Sequence, residues 1–355
     1  MRFEALRIAD IRQETADTIS VAFAIPDDHK QHFAYQPGQY LTLRAHLAGE
    51  ELRRSYSICS GLDDGELRVA IKRVDDGRFS AWAHGALRVG GTVDVMPPAG
   101  RFGVALAPEA ARTVLGVAAG SGITPILSIL KSVLTREPRA RFVLLYGSRA
   151  TGQIIFREQL EELKDRFMGR LSVVHVLSRE QQDVPVLNGR LDGAKVRLLL
   201  GGLTAIPTID HAFLCGPASM IDEVQAALAD AGMEGHRIHS ERFTAAPHAA
   251  APLRKPQPSA ELPHAVATII ADGVRTEVAV DADETVLEAA LRAGLDLPYS
   301  CRGGMCSTCR ARVTSGSVQM DVNYALEPWE TTAGYVLTCQ ARPTTDRLTV
   351  DYDHV

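Results

Sequence analysis

Apolar and polar residues alternate along the first stretch of the chain, MRFEALRIADIRQETADTISVAF, with the period of two that leaves one face of a strand dry. Shorter runs of the same kind, punctuated by Gly and Pro, continue to about Phe102 and predict an antiparallel β-barrel over residues 1–105. Beyond Pro108 the pattern changes. TVLGVAA, RFVLLYG and LSVVHVLS are near-continuous apolar runs of strand length, and PILSILKSVL and FREQLEELKDRF between them have helical spacing. Strand and helix in alternation predict an α/β domain with a parallel sheet over residues 106–243. The most apolar stretch, TVLGVAAGSGITPILSIL, is cut by Gly120, Gly122 and Pro125 into strand, tight turn and helix, which disfavours a membrane span. Residues 244–263, TAAPHAAAPLRKPQPSAELP, have no periodicity and are rich in Ala and Pro, the composition of a linker. Two alternating runs (AVATIIA, TEVAVD), a helical stretch (TVLEAALRAG), a cysteine-bearing loop and further strand pattern then predict an α+β domain over residues 264–355.

Composition narrows the setting. With 355 residues, 46% hydrophobic and 23% charged, the chain is an ordinary multidomain globular protein. Its N-terminus has neither a hydrophobic signal core nor a twin-arginine address, so a cytoplasmic location is expected. The net charge of −5 is uneven: from Pro263 onward there are 13 acidic and 7 basic residues, net −6, leaving +1 for the rest. That distribution has no basic footprint for nucleic acid.

Six cysteines are present, and three lie within nine residues, in CRGGMCSTC. Cys301, Cys306 and Cys309 are spaced C-x4-C-x2-C, and Cys339 follows after 29 intervening residues. This is the plant-type [2Fe-2S] arrangement, four thiolates sharing two irons. A structural zinc site is the alternative, but zinc takes paired C-x2-C knuckles and only one such pair exists. Gly303 and Gly304 allow the backbone to curl around an inorganic core, and the small Ser307 leaves N–H groups free to bond sulfur. Residues 264–355, with PYSCRGGMCSTCRARV and GYVLTCQA, resemble plant-type ferredoxins, which implies a β-grasp fold and a one-electron carrier.

Upstream, RRSYSICS carries the R-x-Y-S pattern of the ferredoxin-NADP reductase superfamily, and that resemblance runs from residue 1 to Phe243. It implies FAD, with Arg54 on the pyrophosphate, Tyr56 on the isoalloxazine face and Ser57 near its reactive N5. The IKRVDDGRFSAW segment supplies the pyrophosphate turn through Gly77, Phe79 and Ser80. GSGITP departs from the dinucleotide fingerprint, since Pro125 stands where the third Gly would be. Gly120 and Gly122 make its turn, and Thr124 is expected to cap the helix that follows. In FLCGPASM the resemblance puts Cys215 and Gly216 beside the nicotinamide. YGSR and SREQ follow successive strands, and Arg149, Ser178 and Arg179 suit the 2′-phosphate of NADPH, with NADH the lesser expectation. HSERF would place Glu241 near the nicotinamide and Phe243 against the flavin. Cys59, in contrast, reads as a small buried apolar residue.

These parts imply an electron path. A nicotinamide gives two electrons as a hydride, a plant-type cluster takes one, and a flavin converts between them. Ser57, Cys215 and Glu241 are expected at the hydride-transfer point, with Cys215 a positioning group rather than a nucleophile. No terminal catalyst is visible in the sequence: the one E-x-x-H, Glu261 to His264, lies in the Pro-rich linker. The order flavin, nucleotide, C-terminal ferredoxin is similar to the reductase components of multicomponent oxygenases. GEELRRSYSIC, KRVDDGRFS, HSERF and NYALEPWETTAGYVLTCQA resemble, more particularly, the reductase subunits of phenylacetyl-CoA ring 1,2-epoxidases. A di-iron oxygenase is therefore the implied partner. The reductase of another oxygenase, or a free-standing NAD(P)H diaphorase, is the alternative.

Overall fold

The computed structural model describes residues 3–243 and 264–354, which belong to two compact units. The expected linker, 244–263, lies outside the described residues, as does Glu261. The first unit opens with six antiparallel strands: β1 (Glu4–Thr15), β2 (Thr18–Ala24), β3 (Tyr40–Leu47), β4 (Glu50–Ser57), β5 (Leu67–Lys72) and β6 (Thr92–Val95). Their order is β4-β3-β6-β1-β2-β5, and a bridge between Ile58 and Val69 joins the two outer strands, closing a barrel. The alternation read from the sequence is the inward face: Leu6, Ile8, Val21, Leu41, Leu43, Val69 and Ile71 share its core. One helix, α1 (Arg78–Ala86), follows β5.

Five parallel strands complete this unit: β7 (Thr113–Ala119), β8 (Arg141–Ser148), β9 (Leu171–Leu177), β10 (His211–Gly216) and β11 (Ile238–Arg242), in the order β11-β10-β7-β8-β9. Helices α2 (Ile123–Arg136), α3 (Arg157–Arg166), α4 (Gly193–Leu200) and α5 (Ala218–Asp230) connect them. A sheet buried on both sides explains the unbroken apolar runs. One core joins the sheet to α2 and α3, another to α4 and α5. The chain reverses direction of winding at β7, so a crevice opens beyond its carboxyl end, where α/β sheets take ligands.

Barrel and parallel sheet are held together by α2. Cys59, Ala70 and Phe102 of the barrel side share one buried cluster with Ile123, Ile126 and Leu130. Polar contacts follow the same helix. Ser128 Oγ donates to the Ser60 carbonyl at 2.7 Å, Leu62 N donates to Ser132 Oγ at 3.1 Å, and Lys131 meets Asp64 at 2.7 Å. Tyr35 Oη donates to the Gly61 carbonyl at 2.9 Å. Cys59 itself is 1% exposed, just past β4, with its N–H on the Arg68 carbonyl, as a small core residue should be.

The second unit has β12 (Ala265–Ala271), β13 (Val274–Val280), α6 (Val286–Arg292), β14 (Arg310–Ser315), β15 (Val318–Met320), α7 (Pro328–Thr332), β16 (Tyr335–Leu337), β17 (Ala341–Pro343) and β18 (Arg347–Asp351). Its main sheet runs β13-β12-β18-β14-β16, with β12 and β18 parallel. The strand expected from TEVAVD starts two residues earlier, because Asp272 and Gly273 both take positive φ and make a two-residue hairpin turn. Thr285 and Glu288 form a capping box that starts α6. Val286, Leu287 and Ala290 then pack in one core with Ala267, Ile269, Val278 and Leu348.

Candidate functional site

Three residues named from separate motifs converge on one point of the first unit. Ser57 ends β4, Cys215 lies near the carboxyl end of β10, and Glu241 pairs with Cys215 in the β10–β11 register. Ser57 Oγ donates to Glu241 Oε2 at 3.1 Å, so the end of β4, an outer strand of the barrel, touches the edge strand of the parallel sheet there. Burial raises the Glu241 carboxyl to about 8, against the opposing effect of the Ser57 hydrogen bond. Cys215 is fully buried, and burial with the neighbouring Glu241 charge pushes its thiol well above the ordinary range. It remains a neutral thiol, unsuited to nucleophilic attack at neutral pH.

The glycine turn lies against the same strand end. A side chain at Gly122 would put its Cβ 2.1 Å from the Cys215 carbonyl oxygen, so only glycine permits this approach. Gly120 has φ +56° with open space around it. Tyr146, buried in β8, donates from Oη to the Gly120 carbonyl at 3.0 Å and accepts from Ile155 N at 3.2 Å, fixing the turn from below. The expected cap at Thr124 is corrected. Gly120–Gly122 form a 3-10 turn that runs directly into α2, so Thr124 is already inside the helix, and its hydroxyl donates to the Ser121 carbonyl at 3.0 Å. Gly122 is the N-cap, without a side-chain bond. Gly216 closes β10, where a Cβ would meet Met220 Cε at 2.8 Å.

On the barrel, Arg54 is exposed, Tyr56 is half-buried and Phe79 is buried, its ring 5.8 Å from that of Tyr56 and 5.2 Å from that of Trp82. Gly77 starts α1, where a Cβ would meet Val74 Cγ2 at 2.4 Å and Ser80 Oγ at 2.5 Å. Ser80 Oγ donates to the Gly77 carbonyl at 3.1 Å and accepts from Val74 N, so its hydroxyl shapes the turn. Phe243 is 40% exposed just beyond β11.

Past β8 and β9 the two loops stay paired. Ser178 N donates to the Ser148 carbonyl at 3.0 Å and Arg179 N to the Arg149 carbonyl at 2.7 Å, which brings Arg149, Ser178 and Arg179 together. Both arginines are exposed. Motif reading missed two neighbours. Glu180 accepts from Thr151 N at 2.7 Å and Thr151 Oγ1 at 2.6 Å, locking the loops. Arg190 follows Asn188 and Gly189, which bridge to Leu177, and adds a third exposed guanidinium on the segment beside β9. The sequence signal for Arg190 was only a Gly-Arg pair in a loop, too common to single out.

In the second unit the cysteine loop supplies three of the predicted sulfurs and Cys339, just past β16, the fourth, and they fall into two pairs. Hydrogen bonding with Cys306 and N–H groups of the loop pull the Cys301 thiol down to about 6, while Cys306 goes up; Cys309 and Cys339 make the other pair, with Cys339 lowered. Gly303 N and Met305 N donate to Cys301 Sγ, each at 3.4 Å. Cys301 N, at 3.4 Å, and Thr308 Oγ1, at 3.1 Å, donate to Cys306 Sγ. Arg302 and Ser307 hold φ +51° and Gly304 φ +74°, the left-handed positions that curl this loop. Ser300 Oγ is buried beside Cys301 with no hydrogen-bond partner. Among the described residues no three His, Cys, Asp or Glu side chains form a single-ion cage. Two thiol pairs, inward N–H donors and an orphaned hydroxyl fit a two-iron sulfur cluster better than one tetrahedral ion.

Comparison with known proteins agrees with this division. Residues 5–103 match the oxidoreductase FAD-binding domain, 117–226 the oxidoreductase NAD-binding domain, and 269–344 the 2Fe-2S iron-sulfur cluster binding domain. A relative from Escherichia coli (strain K12), one of the subunits of 1,2-phenylacetyl-CoA epoxidase, is 42% identical over 99% of this chain and 98% of its own. The ferredoxin reductase component of a Rhodococcus rhodochrous 3-ketosteroid-9-alpha-monooxygenase is 36% identical over 98% and 96%. Phthalate dioxygenase reductase has the same fold, with a TM-score of 0.59 at 23% identity over 98% of each chain. Among the described residues no helix is long and apolar enough to cross a membrane. The chain therefore belongs to the ferredoxin-NADP reductase type of flavoprotein with a C-terminal plant-type [2Fe-2S] domain, an oxidoreductase that carries electrons from NAD(P)H through FAD to the cluster.

Proposed function

We propose that this reductase draws on NADPH and delivers electrons singly to a di-iron oxygenase that epoxidises the ring of phenylacetyl-CoA. The observation that carries the acceptor is the 42% identity, over nearly the full length of both chains, to the Escherichia coli epoxidase component. The working segments are 1–105 for FAD, 106–243 for the nucleotide, 244–263 as linker and 264–355 for the cluster. Bound flavin supplies the conversion of one hydride into two single electrons. The chain's own residues do the rest. Arg54 and the Gly77–Ser80 turn hold the flavin pyrophosphate, Tyr56 covers the ring and Phe243 adds a second apolar surface. Gly120, Gly122 and Gly216 let backbone approach the nucleotide, with Thr124 supporting the turn through Ser121. Arg149, Ser178 and Arg179 take the 2′-phosphate, while Cys301, Cys306, Cys309 and Cys339 hold the irons. Ser57, Cys215 and Glu241 line the hydride-transfer point.

Reconstitution tests the acceptor. With NADPH and the di-iron complex, the protein is expected to yield the ring-epoxidised CoA ester in step with NADPH use; alone, it reduces only dyes or oxygen. NADPH consumption unaffected by the complex, with no oxygenated ester formed, would transfer the assignment to another oxygenase of the class, such as the steroid monooxygenase systems of the 36% identical relative.

Glu241 gives the hydride step a pH signature. Below about 8 its carboxyl holds a proton, and above that it carries a charge beside the nicotinamide, which becomes cationic on losing hydride. Flavin reduction is expected to speed up as pH rises through about 8. Stopped-flow traces of Glu241→Gln should lose that limb; a native profile flat from pH 7 to 9 would remove Glu241 from the step.

A further inference from the structure

Arg310 follows Cys309 directly, at the start of β14, and is buried. Its guanidinium carbon lies 3.5 Å from the centre of the Tyr335 ring, and its Nε is 2.8 Å from Glu330 Oε1. The contact is ionic rather than an aligned hydrogen bond. Glu330 is buried as well, in α7, and its Oε2 accepts from Glu327 N at 3.0 Å. A full charge pair is thus buried, its cationic member on the residue that follows a cysteine assigned to the irons. The Glu330 carboxylate also closes the capping box of α7 on the Glu327 N–H, but that bond does not require a buried arginine beside it, and burying the pair costs desolvation.

We infer that Glu330 is a positioning residue that cancels the Arg310 charge felt by the cluster and so sets how readily it accepts an electron. The inference rests on Cys309 being a cluster ligand. Adding one electron to the four-thiolate site increases its negative charge by one unit. An unbalanced Arg310 would favour the reduced form, and an unbalanced Glu330 would oppose it. With both present the two effects offset each other, and Arg310 remains available to pack on Tyr335.

The test is a reductive titration of the full-length holoprotein against a redox dye, with cluster content measured by iron, sulfide and visible circular dichroism. In Glu330→Gln, whose amide still accepts from Glu327 N and faces Arg310, the reduced-to-oxidised ratio at fixed dye poise should rise by about tenfold. Arg310→Gln should lower it by a similar factor, Arg310→Lys should leave it near native, and the double glutamine variant should return to within about threefold. Opposite signs are the diagnostic, because a merely structural pair would lower cluster content without reversing the shift. Full cluster content with both single variants within about twofold of native, or shifted the same way, overturns the inference. Should Arg310→Gln fail to hold a cluster, Glu330→Gln against Arg310→Lys still decides the matter. A native protein without a cluster would instead overturn the ligand assignment.

Discussion

Cys306→Ala is expected to strip the protein of its iron and sulfide while leaving one FAD per chain. The Cys306 sulfur is held by the Cys301 N–H and the Thr308 hydroxyl and is paired with the Cys301 thiol, so its loss removes one side of the two-iron site. The flavin and nucleotide residues belong to a different compact unit, with its own cores. NADPH should therefore still bleach the flavin, and a dye that accepts electrons from flavin should be reduced within about threefold of the native rate. Delivery to the oxygenase should fall by roughly three orders of magnitude, because the remaining flavin has no one-electron carrier to hand to. Iron analysis, flavin extraction and coupled product formation read these separately. A variant that keeps full cluster absorption would remove Cys306 from the ligand set.

The second large effect concerns the nucleotide. Arg149→Ala combined with Arg179→Ala should reduce kcat/KM for NADPH about 100-fold, the sum of two charge-assisted hydrogen bonds worth about 1.5 kcal/mol each. NADH turnover should change by less than about twofold, since that coenzyme lacks the phosphate. The geometry favours this outcome. The two arginines are exposed on paired loops, and the nearest acidic residue in sequence, Glu180, is occupied by Thr151 rather than by either guanidinium. Equal native efficiency with both coenzymes would remove the assignment.

Much of this molecule is readable from local pattern. The alternation in β1 and the unbroken runs of β7, β8 and β9 each report which faces of a strand meet core, and burial on one or two faces is what periodicity encodes. The C-x4-C-x2-C spacing likewise specifies chemistry because four thiolates close together need a metal to justify them. Other features depended on contacts distant in the chain. The Ser57–Glu241 bond spans 184 positions, and no short motif announces it. Thr124 looked like a cap because Ser/Thr before an apolar helix usually is one; the 3-10 turn at Gly120–Gly122 moved the helix start upstream and turned its hydroxyl from acceptor to donor. The α7 helix was hidden by its brevity, five residues between strands, and with it the buried partner of Arg310.

The role of α2 bears on how such proteins are assembled by gene fusion. That helix begins at the Gly120–Gly122 turn, and its far face is bonded to residues 60–64 through Ser128, Ser132 and Lys131. A crossover placed near residue 105, between barrel and parallel sheet, would join an α2 from one parent to a loop from another and leave Lys131, only 6% exposed, facing whatever replaces Asp64. A hybrid cut there must import both partners of each contact. Residues 3–243 are therefore to be exchanged as a single block, with any fusion joint placed beyond Phe243 rather than between barrel and sheet.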